Sequence, residues 1–385
     1  MKINSIGIAG AGTMGIGIAQ LAAQKGYNVL FYDIHQSNLD KAKKIIEDNL
    51  VKLTEKGKLN NISSLEIIKR IHYTDQLKNL SDSSLLIEAI VENFEAKKTL
   101  FSQIEKVVSD TCIIASNTSS LSINRLSSVF TRPERFIGLH FFNPATIMKL
   151  VEIIPGINTS MTIVDSLKDL MKNWGKVPAL AKDTPGFIVN RVARPFYGEA
   201  LRIAEEGLAT PAEIDHIMKT LGGFRMGPFE LMDFIGLDVN FSVSYSVFEQ
   251  LYYDPRYRPS LLQQRMMESG RLGRKVGKGF YDYSLPNPFE LSQAPDESKS
   301  HAIFFRILSM LINEAVDAVY LQIADAQAVD EAMMYGANYP KGLIAWGKEI
   351  GFEKVKAEID RLFEYYKDMR YRASAGFYVI DRLLN

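Results

Sequence analysis

Three glycines spaced as Gly10-x-Gly12-x-x-Gly15 stand directly after an apolar run, Ile3 to Ala9, and directly before a helical pattern from about Met14 to Gln24. That context predicts strand, tight turn and helix in immediate succession. The first glycine permits the turn, the second lets backbone approach a pyrophosphate, and the third lets helix pack close to strand. The helix N-terminus supplies N–H groups and a positive dipole end for phosphate. Gly10, Gly12, Thr13, Met14 and Gly15 are therefore the first candidate cofactor-binding residues. Asp33 closes the next predicted strand, Asn28 to Tyr32, where a carboxylate accepts hydrogen bonds from a ribose hydroxyl. A 2′-phosphate would meet like charge there, and Ile34-His35 offers no arginine, so NAD is expected rather than NADP.

Strand and helix patterns alternate over residues 1–184. A polar helix is predicted over about Leu39 to Glu55, and short apolar runs at Leu85 to Ala89, Cys112 to Ala115 and Phe136 to Leu139 have buried-strand length. Alternation of this kind predicts a parallel sheet covered on both faces. The formal net charge of +0 gives no global field toward nucleic acid or an anionic membrane. No apolar run approaches the roughly 20 residues of a membrane helix. The first residues lead straight into a strand, so no signal peptide is expected, and the single cysteine, Cys112, fits a reducing compartment, with the cytoplasm as the default.

From Asp183 the pattern changes. Asp183-Thr184-Pro185 predicts a helix start, with a capping side chain and a proline in the first turn, and helical patterns then run to about Gln264. A glycine- and lysine-rich loop spans Gly273 to Gly279, and a proline-containing polar stretch reads as a linker at 284–300. The chain then repeats itself. Arg191, Glu199-Ala200, Asp215, Gly227 and Gly236 recur 115 positions later as Arg306, Glu314-Ala315, Asp330, Gly342 and Gly351. A register kept over that span indicates a duplicated domain. The expected organisation is a dinucleotide-binding α/β domain of Rossmann type (1–184) followed by two tandem all-α domains. The first covers 185–283 and the second, shortened copy 301–385. That copy lacks Pro185, Asn190 and the Gly273–Gly279 loop, so it is expected to pack rather than catalyse.

Two polar residues stand out in apolar strands. His140 lies within Phe136–Pro144, and Glu152 lies on a face shared with Met148, Leu150 and Ile154 by alternation. The short Asn143-Pro144-Ala145-Thr146 segment can turn the chain back, so the two side chains can meet. A carboxylate against one ring nitrogen fixes the tautomer and raises basicity. Each residue alone reads as an ordinary satisfied polar group, but as a pair beside a dinucleotide fold they point to catalysis. Ser116–Ser120 follows a buried strand at the carboxyl edge, where open α/β sheets bind ligands.

With these residues in place the chain resembles the 3-hydroxyacyl-CoA dehydrogenase family. The likeness runs through the glycine loop, Glu88–Asn93, Ser116–Leu121, Gly138–Pro144, Met148–Glu152, Asp183–Arg191, Met226–Leu231 and Gly277–Tyr281. The resemblance implies NAD-dependent interconversion of 3-hydroxyacyl-CoA and 3-ketoacyl-CoA, of L (S) configuration, in fatty-acid or other CoA-thioester metabolism. It implies His140 as base, Glu152 as its partner, and Ser119 and Asn190 on the reacting oxygens. Asn143 falls near the nicotinamide; Glu92, Lys97 and Lys275 match cofactor contacts; Lys56 matches a CoA contact. Asn49 departs from the family's serine, so a CoA contact there is not carried over. The other lysines of 41–58 share their helix with Asp40, Glu47, Asp48 and Glu55 and read as a solvated face. Single-copy relatives dimerise through the helical domain, which leaves two expectations here: a homodimer, or a monomer in which the second copy fills the partner's place. Competing readings are a gulonate-type sugar-acid dehydrogenase and a non-catalytic nucleotide-binding protein, against which stand His140-Phe141-Phe142-Asn143-Pro144, Lys56 and the intact His140, Glu152, Ser119 and Asn190.

The Asp33 argument gives a first prediction. Turnover should favour NAD over NADP by more than about tenfold, the equivalent of 1.4 kcal/mol, and Asp33→Ala should narrow the gap. Equal kcat/KM for the two cofactors in the wild type would remove Asp33 from this role.

Overall fold

The computed structural model describes residues 3–59, 63–291 and 295–384. The chain divides into two compact units, residues 1–184 and 185–385.

The first unit is built on eight strands: β1 (Ser5–Ala9), β2 (Asn28–Tyr32), β3 (Ile71–Thr74), β4 (Leu85–Glu88), β5 (Ile113–Ser116), β6 (Phe136–Phe141), β7 (Leu150–Pro155) and β8 (Val177–Leu180). They form one sheet in the order β3-β2-β1-β4-β5-β6-β7-β8. Helices α1 (Thr13–Gln24), α2 (Gln36–Glu55), α3 (Ser64–Lys69), α4 (Phe94–Ile104), α5 (Ile123–Ser127) and α6 (Met161–Asn173) connect them. The chain moves outward from β1 through β2 to β3, then returns to β4 on the other side of β1. That reversal opens a crevice at the carboxyl end of β1, where the glycine loop lies.

The sheet is not wholly parallel. β6 and β7 pair antiparallel, and β8 runs parallel to β7, so the last two strands oppose the rest. β7 is buried along Leu150–Ile154 on both faces rather than alternating, as befits an interior strand. Two strands were invisible to periodicity, and both are edges. β3 is a short, partly exposed Ile-His-Tyr-Thr segment, and β8 carries Pro178. Proline's missing N–H is tolerated at a sheet edge. The apolar core gathers Ile6, Ile8, Phe31, Ile87, Ile113, Leu139 and Val151 from the strands with Ile18, Ala22, Ile46 and Leu167 from the helices.

The expected helix start at Asp183 is corrected by the structure. Residues 185–188 form a turn and helix begins at Val189. Asp183 instead caps α5, accepting from Ser122 Oγ at 2.9 Å, Ile123 N at 3.0 Å and Asn124 N at 2.8 Å. A capping carboxylate is thus present, but it serves a helix distant in sequence.

The second unit comprises α7 (Val189–Val192), α8 (Arg194–Glu205), α9 (Pro211–Thr220), α10 (Pro228–Ile235), α11 (Leu237–Gln250), α12 (Leu261–Glu268), α13 (Glu297–Tyr320), α14 (Ala326–Gly336), α15 (Leu343–Ile350), α16 (Phe352–Tyr366) and α17 (Ile380–Leu384). α13 begins at Glu297, capped by Asp296, inside the stretch read as linker. The sequence repeat has a structural cause. Asp215 in the middle of α9 accepts the backbone N–H of Phe229 at 2.9 Å and Glu230 at 2.7 Å, capping α10. Asp330 accepts from Ile344 at 2.7 Å and Ala345 at 3.0 Å, capping α15 in the same way. Gly227 and Gly342 are required because a Cβ would fall within 2.5 Å of those aspartates.

The two copies also bind each other reciprocally. Arg191 Nε donates to Glu314 at 2.8 Å, and its counterpart Arg306 donates to Glu199, the counterpart of Glu314, at 2.6 Å. Tyr257 donates to Glu314, while Tyr371 donates to Glu199 at 2.7 Å. This is the self-complementary pattern of a two-fold dimer interface, written within one chain.

Gly227→Ala and Gly342→Ala should each destabilise the helical unit by about 1–3 kcal/mol, since the methyl group displaces a capping carboxylate, buried in Asp215 and half-buried in Asp330. Thermal unfolding measures this, and unchanged midpoints for both variants would show that the cap geometry is not what holds the glycines.

Candidate active site

The carboxyl ends of β1, β4, β5 and β6 lie side by side, with Ala9 opposite Glu88, Glu88 opposite Ser116, and Ser116 opposite Gly138. Every unit-one candidate except Lys56 is carried on this edge, the loops that leave it, or the first turn of a helix behind it. At its centre is the glycine loop. Gly10 has φ of 111°, and a Cβ on Gly15 would collide with the Gly10 carbonyl oxygen. Around Gly12 the position of a Cβ is open space, and α1 has no side-chain cap at its N-terminus. An uncapped helix end below an open backbone approach suits a pyrophosphate. Asp33 binds this loop directly: Oδ2 accepts from Ala11 N at 2.8 Å, and Oδ1 from His35 N and Asn38 Nδ2, each at 3.0 Å. These residues fit a bound NAD.

Glu92 organises the neighbouring loop. Its Oε1 accepts from Thr118 Oγ1 at 2.5 Å, Ser119 N at 2.8 Å, Ser120 N at 3.0 Å and Ser119 Oγ at 3.3 Å. Burial pushes the Glu92 carboxyl up, but the Lys97 ammonium and the hydrogen bonds from Thr118 and Ser119 outweigh it and hold it below the usual range. Lys97 is itself buried between Glu88 at 2.7 Å and Glu92 at 3.2 Å. Its position is that of a strut between two carboxylates at the sheet edge. Glu88 also accepts from Ser116 Oγ at 2.6 Å and Ile90 N at 2.7 Å.

His140 and Glu152 stand directly opposite each other across the β6–β7 pairing. His140 Nδ1 lies 2.7 Å from Glu152 Oε2, with side chains 8% and 1% exposed. A carboxylate in its ionised form only accepts, so against that form Nδ1 is the donating ring nitrogen. The Phe142 ring packs 4.5 Å from the imidazole, centroid to centroid. Asn143 follows in an exposed turn, joined to Pro144 by a cis peptide.

Two residues outside the candidate set support this arrangement. Asn117 accepts the Phe141 N–H through Oδ1 at 2.8 Å, tying the β5 loop to the end of the histidine's strand. Lys176 is buried and donates to the carbonyls of Ala145 at 2.5 Å and Met148 at 2.6 Å, bracing the turn after Asn143. Burial, with Lys25 nearby, pushes its ammonium down to about 8. A lysine after Trp174-Gly175 looks like any surface lysine until the fold encloses it.

The remaining candidates lie elsewhere. Lys56 is an exposed residue at the C-terminal cap of α2. Asn49 donates to Gln20 at 3.2 Å. Asn190 and Lys275 belong to the second unit, Asn190 in α7 and Lys275 in the turn 274–276, where its ammonium pairs with Asp238 at 2.6 Å. Among the described residues no cluster of histidine, cysteine, aspartate and glutamate could hold a metal ion, and no helix is long and apolar enough to cross a membrane.

Comparison with known proteins bears directly on this arrangement. Residues 5–184 match the family model described as 3-hydroxyacyl-CoA dehydrogenase, NAD binding domain. Residues 186–283 and 303–380 both match 3-hydroxyacyl-CoA dehydrogenase, C-terminal domain. The chain is 35% identical to 3-hydroxyadipyl-CoA dehydrogenase of Escherichia coli K12, covering 97% of this chain and 96% of that protein. It is 45% identical to a probable 3-hydroxybutyryl-CoA dehydrogenase of Deinococcus radiodurans, covering 72% of this chain and 99% of that one. A crystal structure of 3-hydroxybutyryl-CoA dehydrogenase from Escherichia coli K12 superposes with a TM-score of 0.94 at 33% identity, over 100% of this chain and 99% of the other. An NAD-binding sheet, a histidine–glutamate pair on its edge and a twice-matched C-terminal domain converge on one identity: the chain belongs to the 3-hydroxyacyl-CoA dehydrogenase family.

Proposed function

We propose that the chain catalyses reversible, NAD-dependent oxidation of (S)-3-hydroxyacyl-CoA to 3-ketoacyl-CoA, with His140 as base and Glu152 as its partner. The observation that carries this is the buried 2.7 Å contact between His140 Nδ1 and Glu152 Oε2 at the edge that also bears the glycine loop. When bound, NAD supplies the acceptor for the hydride that leaves C3. His140 Nε2 takes the proton of the 3-hydroxyl, and Glu152 balances the imidazolium that forms. Ser119 and Asn190, by resemblance, hydrogen-bond the substrate oxygens as charge moves, stabilising the transition state more than the ground state. Lys56, exposed at the end of α2, is the proposed CoA contact. Glu92, Lys97, Asn143 and Lys275 are proposed around the cofactor. A cytoplasmic setting belongs to the same proposal, supported by a single free cysteine, Cys112, whose thiol burial pushes up to about 12.

His140→Gln should retain NAD binding by fluorescence titration while kcat falls by about 10²–10⁴-fold. Glu152→Gln should also lose most of its turnover, because a neutral amide cannot balance the imidazolium. Near-normal kcat in His140→Gln would end the proposal. The substrate reading is tested by following NADH formation with 3-hydroxybutyryl-CoA, 3-hydroxyadipyl-CoA and gulonate side by side. Turnover of a hydroxyacyl-CoA is expected, and activity with gulonate alone would overturn it. Both CoA esters are included because the relatives matched over their whole length carry both names.

We further propose that the second helical copy fills the place a partner subunit takes in single-copy relatives. The support is the reciprocal pairing of Arg191 with Glu314 and Arg306 with Glu199. Light scattering should then give the mass of one chain; a dimer at micromolar concentration would contradict it.

A further inference from the structure

The connection between β6 and β7 joins the strand of His140 to the strand of Glu152, and it carries Asn143. Its carbonyls are satisfied one by one. That of Pro144 accepts from Ile147 N and Met148 N, each at 2.9 Å. Those of Ala145 and Met148 accept from Lys176 Nζ, at 2.5 and 2.6 Å. That of Lys149 accepts from Val177 N at 2.8 Å, where β8 begins. The same connection meets α1, the helix behind the glycine loop. Ala145 is 2% exposed, and a Cβ on Gly17 would stand 3.1 Å from that of Ala145. Lys176 on one strand and Gly17 on one helix therefore set where this stretch of backbone lies.

Stability alone does not account for a lysine here. Lys176 is 7% exposed and forms no ion pair among the described residues. Burial, and after it the like charge of Lys25 at the end of α1, push its ammonium from the ordinary 10.5 down to about 8. Enclosing a charge without a counter-charge costs free energy. A neutral amine would still have two hydrogens for two carbonyls. What the charge adds is strength, because a charged donor binds roughly twice as strongly as a neutral one. Buried groups with displaced titration concentrate where chemistry is done.

We propose that Lys176 is a positioning residue for the reaction: its charged Nζ clamps the carbonyls of Ala145 and Met148, and so holds the connection that carries Asn143 and joins the strands of His140 and Glu152. The clamp rests on the reading of that pair as base and partner. The test compares wild type with Lys176→Met, following NADH formation from 3-hydroxybutyryl-CoA and thermal unfolding on both sides of pH about 8. Below that pH the wild-type clamp is charged, and kcat of the variant should be lower by roughly 10–100-fold, the effect of misplacing reacting groups by about an ångström. As pH rises through about 8 the clamp loses its charge, so the ratio of wild-type to variant kcat should fall. The ratio cancels the pH dependence of the chemistry itself. Stability should run the other way. Between about 8 and 10.5 the unfolded chain holds the Lys176 proton and the folded chain does not, so the wild-type midpoint should rise relative to that of the variant. A lysine with a packing role alone would make rate and midpoint fall together. That outcome, a wild-type kcat in Lys176→Met, or a kcat ratio constant across this range would each overturn the clamp. His140→Gln, measured alongside, separates the two readings. If it is inactive while Lys176→Met is unimpaired, the base stands and the clamp falls; an active His140→Gln ends both. Should Lys176→Met not fold, Lys176→Gln, which keeps a neutral donor, gives the same comparison.

Discussion

The reversal of strand direction between β6 and β7 is the constraint on which the proposed chemistry rests. In a parallel pairing, residues twelve apart could not face each other across one ladder step. The antiparallel return places Glu152 directly against His140, on the same side of the sheet and within hydrogen-bond reach. Both are enclosed, so the interaction works in a medium of low polarity. Removing one partner of such a buried pair costs about 3–5 kcal/mol, because the other is left uncompensated. The fold thus sets the contact with backbone register.

The rest of the edge uses buried or half-buried carboxylates in one repeated way. Asp33 holds the glycine loop, Glu88 and Glu92 hold the loop after β5, and Asp183 holds the start of α5. Each accepts several hydrogen bonds, at least one of them from a segment more than twenty residues away in sequence. Loops at a sheet's carboxyl edge have few apolar side chains to bury, so charge-assisted hydrogen bonds supply the order that packing cannot. Lys97 offsets the two glutamates, and Lys176 does for the carbonyls of Ala145 and Met148 what the carboxylates do for N–H groups.

The helical unit shows which contacts a duplication preserves. The arginine–glutamate–tyrosine contacts recur because each copy completes the other's interface, and the cap aspartates with the glycines beneath them recur because each copy caps a helix of its own. The Gly273–Gly279 loop and Asn190 do not recur. Positions are kept where the two copies meet symmetrically and where a helix needs its cap.

Much of this was open to reading in the residues alone. The glycine loop between strand and helix, Asp33 after β2, the His140–Glu152 pairing through a short turn and the 115-residue repeat are local or periodic signals. They follow from backbone sterics and side-chain alternation, which need no knowledge of distant partners. The edge strands β3 and β8 escaped because an edge needs neither an apolar run nor every N–H, and the helix expected at Asp183 failed because that carboxylate found α5 instead. The hydrogen bonds of Asn117 and Lys176 became visible only in three dimensions. The sequence determined which segments are strands and helices and which residue types could do chemistry. Tertiary structure alone decided which polar groups are enclosed and what they face, because burial and pairing are properties of the packed whole.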